Sequence, residues 1–120
     1  MIGAGYFAAA QAEAWQRIPG AEIVAVADLD LVRAEAFARS WGIPRVYPDA
    51  SVMLRAEQPD FVDIVTRPET HRALVEAATH ANCHVLCQKP MAPSMEDCRA
   101  MVASCRAAEV RLLIHENWRW

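Results

Sequence analysis

Glycines near the start of the chain have the spacing of a phosphate-binding turn. Gly3, Gly5, Tyr6 and Phe7 belong to the run GAGYFA, which fits the pattern G-x-G-x-x-A. In such a turn the first glycine allows a tight bend, the second lets a pyrophosphate approach the backbone, and the final alanine permits close packing of helix on strand. Backbone amides at the start of the next helix face the anion. A purely structural glycine turn is the alternative.

An acidic residue follows this turn at the distance expected for a ribose-binding carboxylate. Asp28 comes twenty residues after Ala8, at the end of an apolar segment. A carboxylate there can accept hydrogen bonds from both hydroxyls of an adenosine ribose, which favours NAD as the cofactor. A 2'-phosphate would meet a like charge, although the nearby Arg33 leaves NADP possible. Alternatively, Asp28 caps the helix that follows.

A lysine stands at the end of a later apolar segment. Lys89 follows Gln88 and precedes Pro90. An ammonium group at the end of a strand can stabilise a developing alkoxide and pass a proton, so Lys89 is predicted to be catalytic. A surface lysine ahead of a turn-forming proline is the alternative.

The elements that must position these residues alternate regularly. After a first strand that consists only of Met1 and Ile2, strands are predicted over residues 21–27, 45–47, 61–66, 84–88 and 111–115, and helices over residues 6–18, 30–41, 49–58, 69–82 and 94–109. Short turns between alternating strands and helices predict an α/β fold with a doubly wound parallel sheet. Ligands bind such sheets beyond the carboxyl ends of the strands, where the residues described above lie.

Composition limits the partners of the chain. A 54% hydrophobic chain of 120 residues indicates one globular domain. The net charge of -3, with no cluster of basic residues, argues against binding to nucleic acid or to an anionic membrane. No apolar run is long enough to span a bilayer, and the chain starts without the charged region of a secretory signal, so a cytoplasmic location is expected.

Several other polar or sulfur-containing residues are interpreted as structural. Cys98 and Cys105 share a predicted helical stripe with apolar residues, which favours burial over disulfide formation. A zinc site at His80, Cys83, His84 and Cys87 is disfavoured, because the run passes from a helix into a strand and scatters the side-chain directions. Asp63 interrupts an apolar strand, so we expect hydrogen-bond donors around it rather than a catalytic role.

In their order along the chain, these motifs resemble the glucose-fructose oxidoreductase, inositol dehydrogenase and MocA-like family. The resemblance extends over the whole chain and rests on the glycine turn leading into QAEAW, on VAVAD, on VDIVTRPETH and on CQKP. It implies a Rossmann-like, NAD-dependent oxidoreductase acting on a CH-OH group of a sugar, polyol or related compound. Each motif alone is far less specific than the ordered set.

The resemblance also implies roles for individual residues. Thr66, Pro68 and His71 would line the nicotinamide side of the cofactor, and Lys89 would point at the substrate carbon that gains or loses hydride. From the sequence alone, His71 on a helix surface is an equally good expectation. The family usually has glutamate before the lysine, and Gln88 cannot ionise, although it can still hydrogen-bond to ribose or substrate.

The length of the chain leads to a last expectation. Family members have a longer first strand and continue into a second, substrate-holding domain, so residues 1–120 are expected to be an NAD(P)-binding Rossmann domain truncated at both ends and inactive alone. An oligomer is one expected state of the parent protein. Asn117 and Arg119 lie in the segment that would lead towards the substrate. The alternative is a non-catalytic Rossmann-like remnant that binds a nucleotide or a protein partner.

Overall fold

Strands and helices alternate throughout the computed structural model of the chain, which describes residues 1–116. The elements are α1 (Ala8–Gln16), β1 (Ala25–Ala27), α2 (Leu31–Trp41), β2 (Arg45–Tyr47), α3 (Ala50–Glu57), β3 (Phe61–Ile64), α4 (Pro68–His80), β4 (His84–Gln88), α5 (Met95–Ala107) and β5 (Leu112–His115). The predicted alternation is confirmed. Three strands are shorter than predicted, because β1 begins at Ala25, β3 ends at Ile64 and β5 begins at Leu112.

All strand pairs are parallel, and the residues ahead of the glycine turn join two groups of strands. β1 pairs with β2, and β3, β4 and β5 pair in that order. Ile2 lies between the groups and forms parallel bridges to Ala27 and Ile64. The predicted doubly wound sheet, with a short first strand at its centre, is therefore confirmed.

Capping residues begin most of the helices where the sequence predicts. The side chains of Asp30, Asp49 and Ser94 each accept a backbone N–H from three residues on, and Gly42 ends α2 in the left-handed conformation. Helix α1 differs, because it begins at Ala8 rather than Tyr6 and has no side-chain cap. The Ala8 N–H donates to the Gly5 carbonyl at 3.1 Å, whereas the N–H groups of Gly5, Tyr6 and Phe7 form no hydrogen bond within residues 1–116 and can bind another acceptor.

Two apolar clusters cover the sheet, as expected for helices packed on both faces. One includes Met53, Val75 and Met101 from α3, α4 and α5, and the other includes Ala12 and Phe37 from α1 and α2. The inner strands β1, β3 and β4 are therefore largely covered by helices, which explains their apolar sequences, whereas the edge strands β2 and β5 are less buried.

The cysteines belong to this core and are free thiols. Burial raises the pKa of Cys83 to about 11 and that of Cys87 to about 12. Cys105 is buried as predicted, whereas Cys98 is half-buried. Within residues 1–116, no three His, Cys, Asp or Glu side chains are grouped so as to hold a metal ion. In that same range, no helix is long and apolar enough to cross a membrane.

Asp63 is a buried acid in the middle of β3. Its Oδ2 accepts the indole N–H of Trp15 at 2.6 Å, which confirms the expectation of a donor. Its Oδ1 is buried without a hydrogen-bond partner among the described residues. Burial raises the pKa of this carboxyl above its usual value. The position is structural, because Trp15 ties α1 to the sheet through it.

Candidate functional site

The glycine turn is held by contacts that exclude a side chain at its first glycine. Gly3 has φ +98°, and a Cβ there would overlap the carbonyl oxygen of Val65. Its N–H donates to the carbonyl of Ala27 at 2.8 Å. Gly5 differs, because a Cβ at that position would meet nothing within 4 Å. Gly3 is therefore needed for the bend itself, whereas Gly5 leaves open space above the backbone.

Asp28 is bonded to the glycine turn. Its Oδ2 accepts the N–H of Ala4 at 2.8 Å, and its Oδ1 accepts the N–H of Asp30 at 2.9 Å. The alternative that Asp28 caps α2 is wrong, because Asp30 is the cap. A carboxylate has about four acceptor positions, so two hydroxyl groups can still bind to it.

A cleft of about 700 Å³ opens between the glycine turn and the loops that follow β1, β2 and β3. Tyr6, almost fully exposed, and Phe7 contribute one wall, and Thr66 contributes the opposite one. The Thr66 hydroxyl is bonded to that of Thr70 at 2.8 Å. The remaining lining includes Gly3, Gly5, Asp28, Leu29, Asp30, Arg33, Pro48, Asp49 and Arg67.

Arg33 lies in the cleft with its charge already paired. Its guanidinium donates to Asp30 Oδ2 at 2.9 Å, and both side chains are about half exposed. A ribose 2'-phosphate would have to share Arg33 with Asp30 and would approach Asp28 as well. The charges in this part of the cleft therefore favour a ribose with free hydroxyls.

These features fit an extended dinucleotide. Gly5 leaves its backbone approachable, and the start of α1 has no side-chain cap, so an anion can bind there. Asp28 lies at the end of the neighbouring strand with free acceptor capacity, and the cleft continues to Thr66 at the end of β3. Gly5, Asp28 and Thr66 thus line one and the same cleft.

Lys89 lies at the carboxyl end of β4, beyond the residues that line the cleft. It is the only lysine in the sequence and is half-buried. Its ammonium forms no ion pair within residues 1–116, whereas its backbone N–H donates to Oε1 of Gln88 at 2.8 Å. Gln88 is buried. The ammonium therefore remains available, and the backbone that carries it is fixed.

Of the residues expected on the nicotinamide side, Thr66 lines the cleft, whereas His71 and Pro68 do not. His71 is fully buried, so it is neither a helix-surface residue nor a direct wall of the cleft. Its Nε2 lies 3.2 Å from the carbonyl oxygen of Thr66, and its Nδ1 lies 3.1 Å from that of Met91. A neutral ring can donate to only one of these two carbonyls, so His71 packs between the loops after β3 and β4 and is hydrogen-bonded to one of them. Pro68 is the first residue of α4 and faces a surface groove beside Asp97 instead of the cleft.

The sequence reasoning missed two polar residues beside Gln88. Gln11 on α1 is buried, and its Nε2 lies 2.6 Å from Nδ1 of His115 at the end of β5. The Gln88 amide nitrogen lies 3.3 Å from the same atom. One signal was present, since a histidine that ends a strand falls at the ligand-binding edge. Asn117 and Arg119 lie outside the described residues.

Comparison with known proteins agrees with this geometry. Residues 1–116 match the model of an oxidoreductase family with an NAD-binding Rossmann fold. Over its whole length the chain is 51% identical to D-apiose dehydrogenase of Paraburkholderia graminis and 43% identical to that of Rhizobium rhizogenes, of which it covers 32% and 35%. The chain therefore spans about a third of the length of these relatives.

A solved structure gives the same result. An oxidoreductase from Agrobacterium radiobacter, in complex with NAD+, L-tartaric acid and magnesium, is 44% identical and superposes with a TM-score of 0.95. The match covers 99% of this chain and 35% of that protein. The chain belongs to the glucose-fructose oxidoreductase, inositol dehydrogenase and MocA family, the oxidoreductases with an NAD-binding Rossmann fold.

Proposed function

We propose that residues 1–120 are the NAD-binding domain of a dehydrogenase that oxidises a CH-OH group of a sugar or polyol. The observation that carries the proposal is the bond between Asp28 and the glycine turn beside an open cleft. Because of this bond, the Asp28 carboxylate lies next to the turn that leads into the uncapped start of α1. This arrangement suits a ribose followed by a pyrophosphate. A remnant without catalytic function gains no support from any feature of the site.

Each part of the cofactor has a residue that suits it. Backbone amides of Gly5, Tyr6 and Phe7 would bind the pyrophosphate, and Asp28 would bind the adenosine ribose. The Thr66 carbonyl oxygen, which lies 3.2 Å from Nε2 of His71, would border the nicotinamide side of the cofactor. When bound, NAD supplies a hydride acceptor. Lys89 would take up the proton that leaves the substrate hydroxyl group and, as the ammonium ion, would lie beside the oxygen on which negative charge develops.

The substrate proposal rests on the relatives. Two D-apiose dehydrogenases match the whole chain, and other similar proteins include an inositol dehydrogenase. D-apiose is therefore the first substrate to test, followed by myo-inositol. Both carry several neighbouring hydroxyl groups, which suits a site that recognises a substrate by hydrogen bonds.

Calorimetric titration of NADH and NADPH into the purified chain tests cofactor binding. We expect NADH to bind more tightly than NADPH, and Asp28→Ala to remove most of that preference. Circular dichroism of the same samples checks that each variant is folded. Failure of the folded chain to bind either dinucleotide contradicts the proposal.

A fusion tests the chemistry. Residues 1–116 are joined to the remaining two thirds of the Paraburkholderia graminis D-apiose dehydrogenase, and NADH formation is followed at 340 nm. We expect turnover with D-apiose, and a loss of about 10²- to 10⁴-fold in kcat for Lys89→Ala with NADH binding retained. Lys89→Arg is the matched variant, because it keeps the charge but cannot release a proton. Full activity of Lys89→Ala would show that Lys89 is not catalytic.

A further inference from the structure

Three polar side chains from different elements meet beside Lys89. Gln11 comes from α1, Gln88 from the end of β4, and His115 from the end of β5. Gln88 and His115 are direct neighbours in the β4–β5 register. Both amide nitrogens approach one atom, His115 Nδ1, at 2.6 and 3.3 Å. Buried amides need partners, so this cluster must satisfy its donors and acceptors internally.

The orientation of the Gln88 amide is fixed by a group that can only donate. The backbone N–H of Lys89 lies 2.8 Å from Oε1 of Gln88, so the oxygen must be at that end of the amide. The amide nitrogen then faces His115. An NH₂ group also only donates, so Nδ1 must be the acceptor and the ring proton of the neutral imidazole must be on Nε2.

We propose that His115 is a positioning residue for Lys89 and acts through the Gln88 amide. The lone pair of His115 Nδ1 is shared by the amide N–H groups of Gln11, at 2.6 Å, and of Gln88, at 3.3 Å. The contact with Gln88 keeps the Gln88 oxygen on the Lys89 N–H. The path joins β5 to the backbone of Lys89 in two hydrogen bonds. The importance of this positioning for catalysis rests on the proposed function of Lys89. The hydrogen bonds themselves are independent of that function.

Glutamine and histidine at these two positions form a matched pair. A carboxylate at position 88 would offer only oxygen atoms, so its second oxygen would need a proton on His115 Nδ1. Replacing Gln88 by glutamate should therefore move the ring proton from Nε2 to Nδ1. The histidine thus complements the residue by which this sequence departs from the glutamate usual in the family.

The first measurement is the tautomer of His115. The chain is labelled with ¹⁵N-histidine, and ring nitrogen shifts are recorded without cofactor at a pH where the imidazoles are neutral, with His115→Asn used to assign the signal. We expect the proton on Nε2 in the original chain and on Nδ1 in Gln88→Glu. A proton on Nδ1 in the original chain overturns the proposal.

The second measurement is the protection of the Lys89 amide. Because the chain has a single lysine, ¹⁵N-lysine labelling gives one backbone amide signal, whose hydrogen exchange reports the bond to Gln88. We expect exchange to be about tenfold faster in His115→Leu, which removes the acceptor. His115→Asn should restore protection, because its side-chain oxygen can take the place of Nδ1. The amide of Val26 in β1, followed in a uniformly ¹⁵N-labelled sample, reports overall stability.

The outcomes separate this inference from the proposed function. Unchanged Lys89 exchange in folded His115→Leu overturns it, even if NADH binds. The expected tautomer and exchange in a chain that does not bind NADH leave the positioning intact and contradict the proposed function instead. If His115→Leu does not fold, the tautomers of the original chain and of Gln88→Glu decide.

Discussion

The carboxyl edge of the sheet holds its polar groups in two different ways. At the glycine turn, backbone N–H groups of Gly3 and Ala4 are bonded to Ala27 and Asp28. At the Lys89 end, side chains of Gln11, Gln88 and His115 form the network. The first depends on backbone conformation and tolerates few residue types. The second depends on matched donors and acceptors, so it should tolerate any change that keeps the match.

The largest effect should come from Gly3→Ala at the backbone-held end. The new Cβ would overlap the Val65 carbonyl, and φ +98° is strained for alanine. We expect a loss of about 4 kcal/mol or more in the free energy of unfolding, measured by urea denaturation. Gly5→Ala is the matched control and should cost less than about 1 kcal/mol, since its Cβ meets open space. Equal losses would mean that the turn is not held as described.

Stability should also depend on pH at this end in a polypeptide whose first residue is Met1. Burial lowers the pKa of the Met1 amino group from 8.0 to about 6. The folded chain then binds fewer protons than the unfolded chain between these values, so stability should rise with pH from 6 to 8, by about 3 kcal/mol at most. N-terminal acetylation should abolish this part of the dependence.

Asp28→Asn separates hydrogen bonding from charge at the turn. Asparagine can still accept the Ala4 N–H, but it loses the charge and one acceptor oxygen. We expect NADH affinity to fall about tenfold, and NADPH affinity to fall less. Asp49→Asn is the control, because Asp49 lines the same cleft and asparagine caps α3 equally well. An equal effect of the two substitutions would count against a specific role for Asp28.

The smallest effect is expected away from both ends. Ser94 caps α5 by accepting the N–H of Asp97. Ser94→Ala should cost about 1 kcal/mol in thermal unfolding and leave NADH affinity unchanged in calorimetry. A fall in NADH affinity would show that the start of α5 influences the cleft. The statement that only the two ends of the sheet edge affect the site would then be wrong.

The sequence predicts the backbone-held end well because its signals are local. The glycine spacing and the acid after β1 each depend on residues close together in the chain. The burial of His71 was harder to predict, because it depends on how the loops after β3 and β4 pack over α4. The Gln11–His115 contact joins residues 104 positions apart, so no local pattern could reveal it.

Ile2 pairs with strands on both sides, to Ala27 in one direction and to Ile64 in the other. It therefore connects segments that are distant in sequence, and its docking should be a late, non-local step in folding. Once Ile2 is paired on both sides, opening of one half of the sheet disturbs the pairing of the other half. A dinucleotide that binds the adjacent turn would thus raise the unfolding cooperativity of the whole domain, and not only the order of the loop it touches.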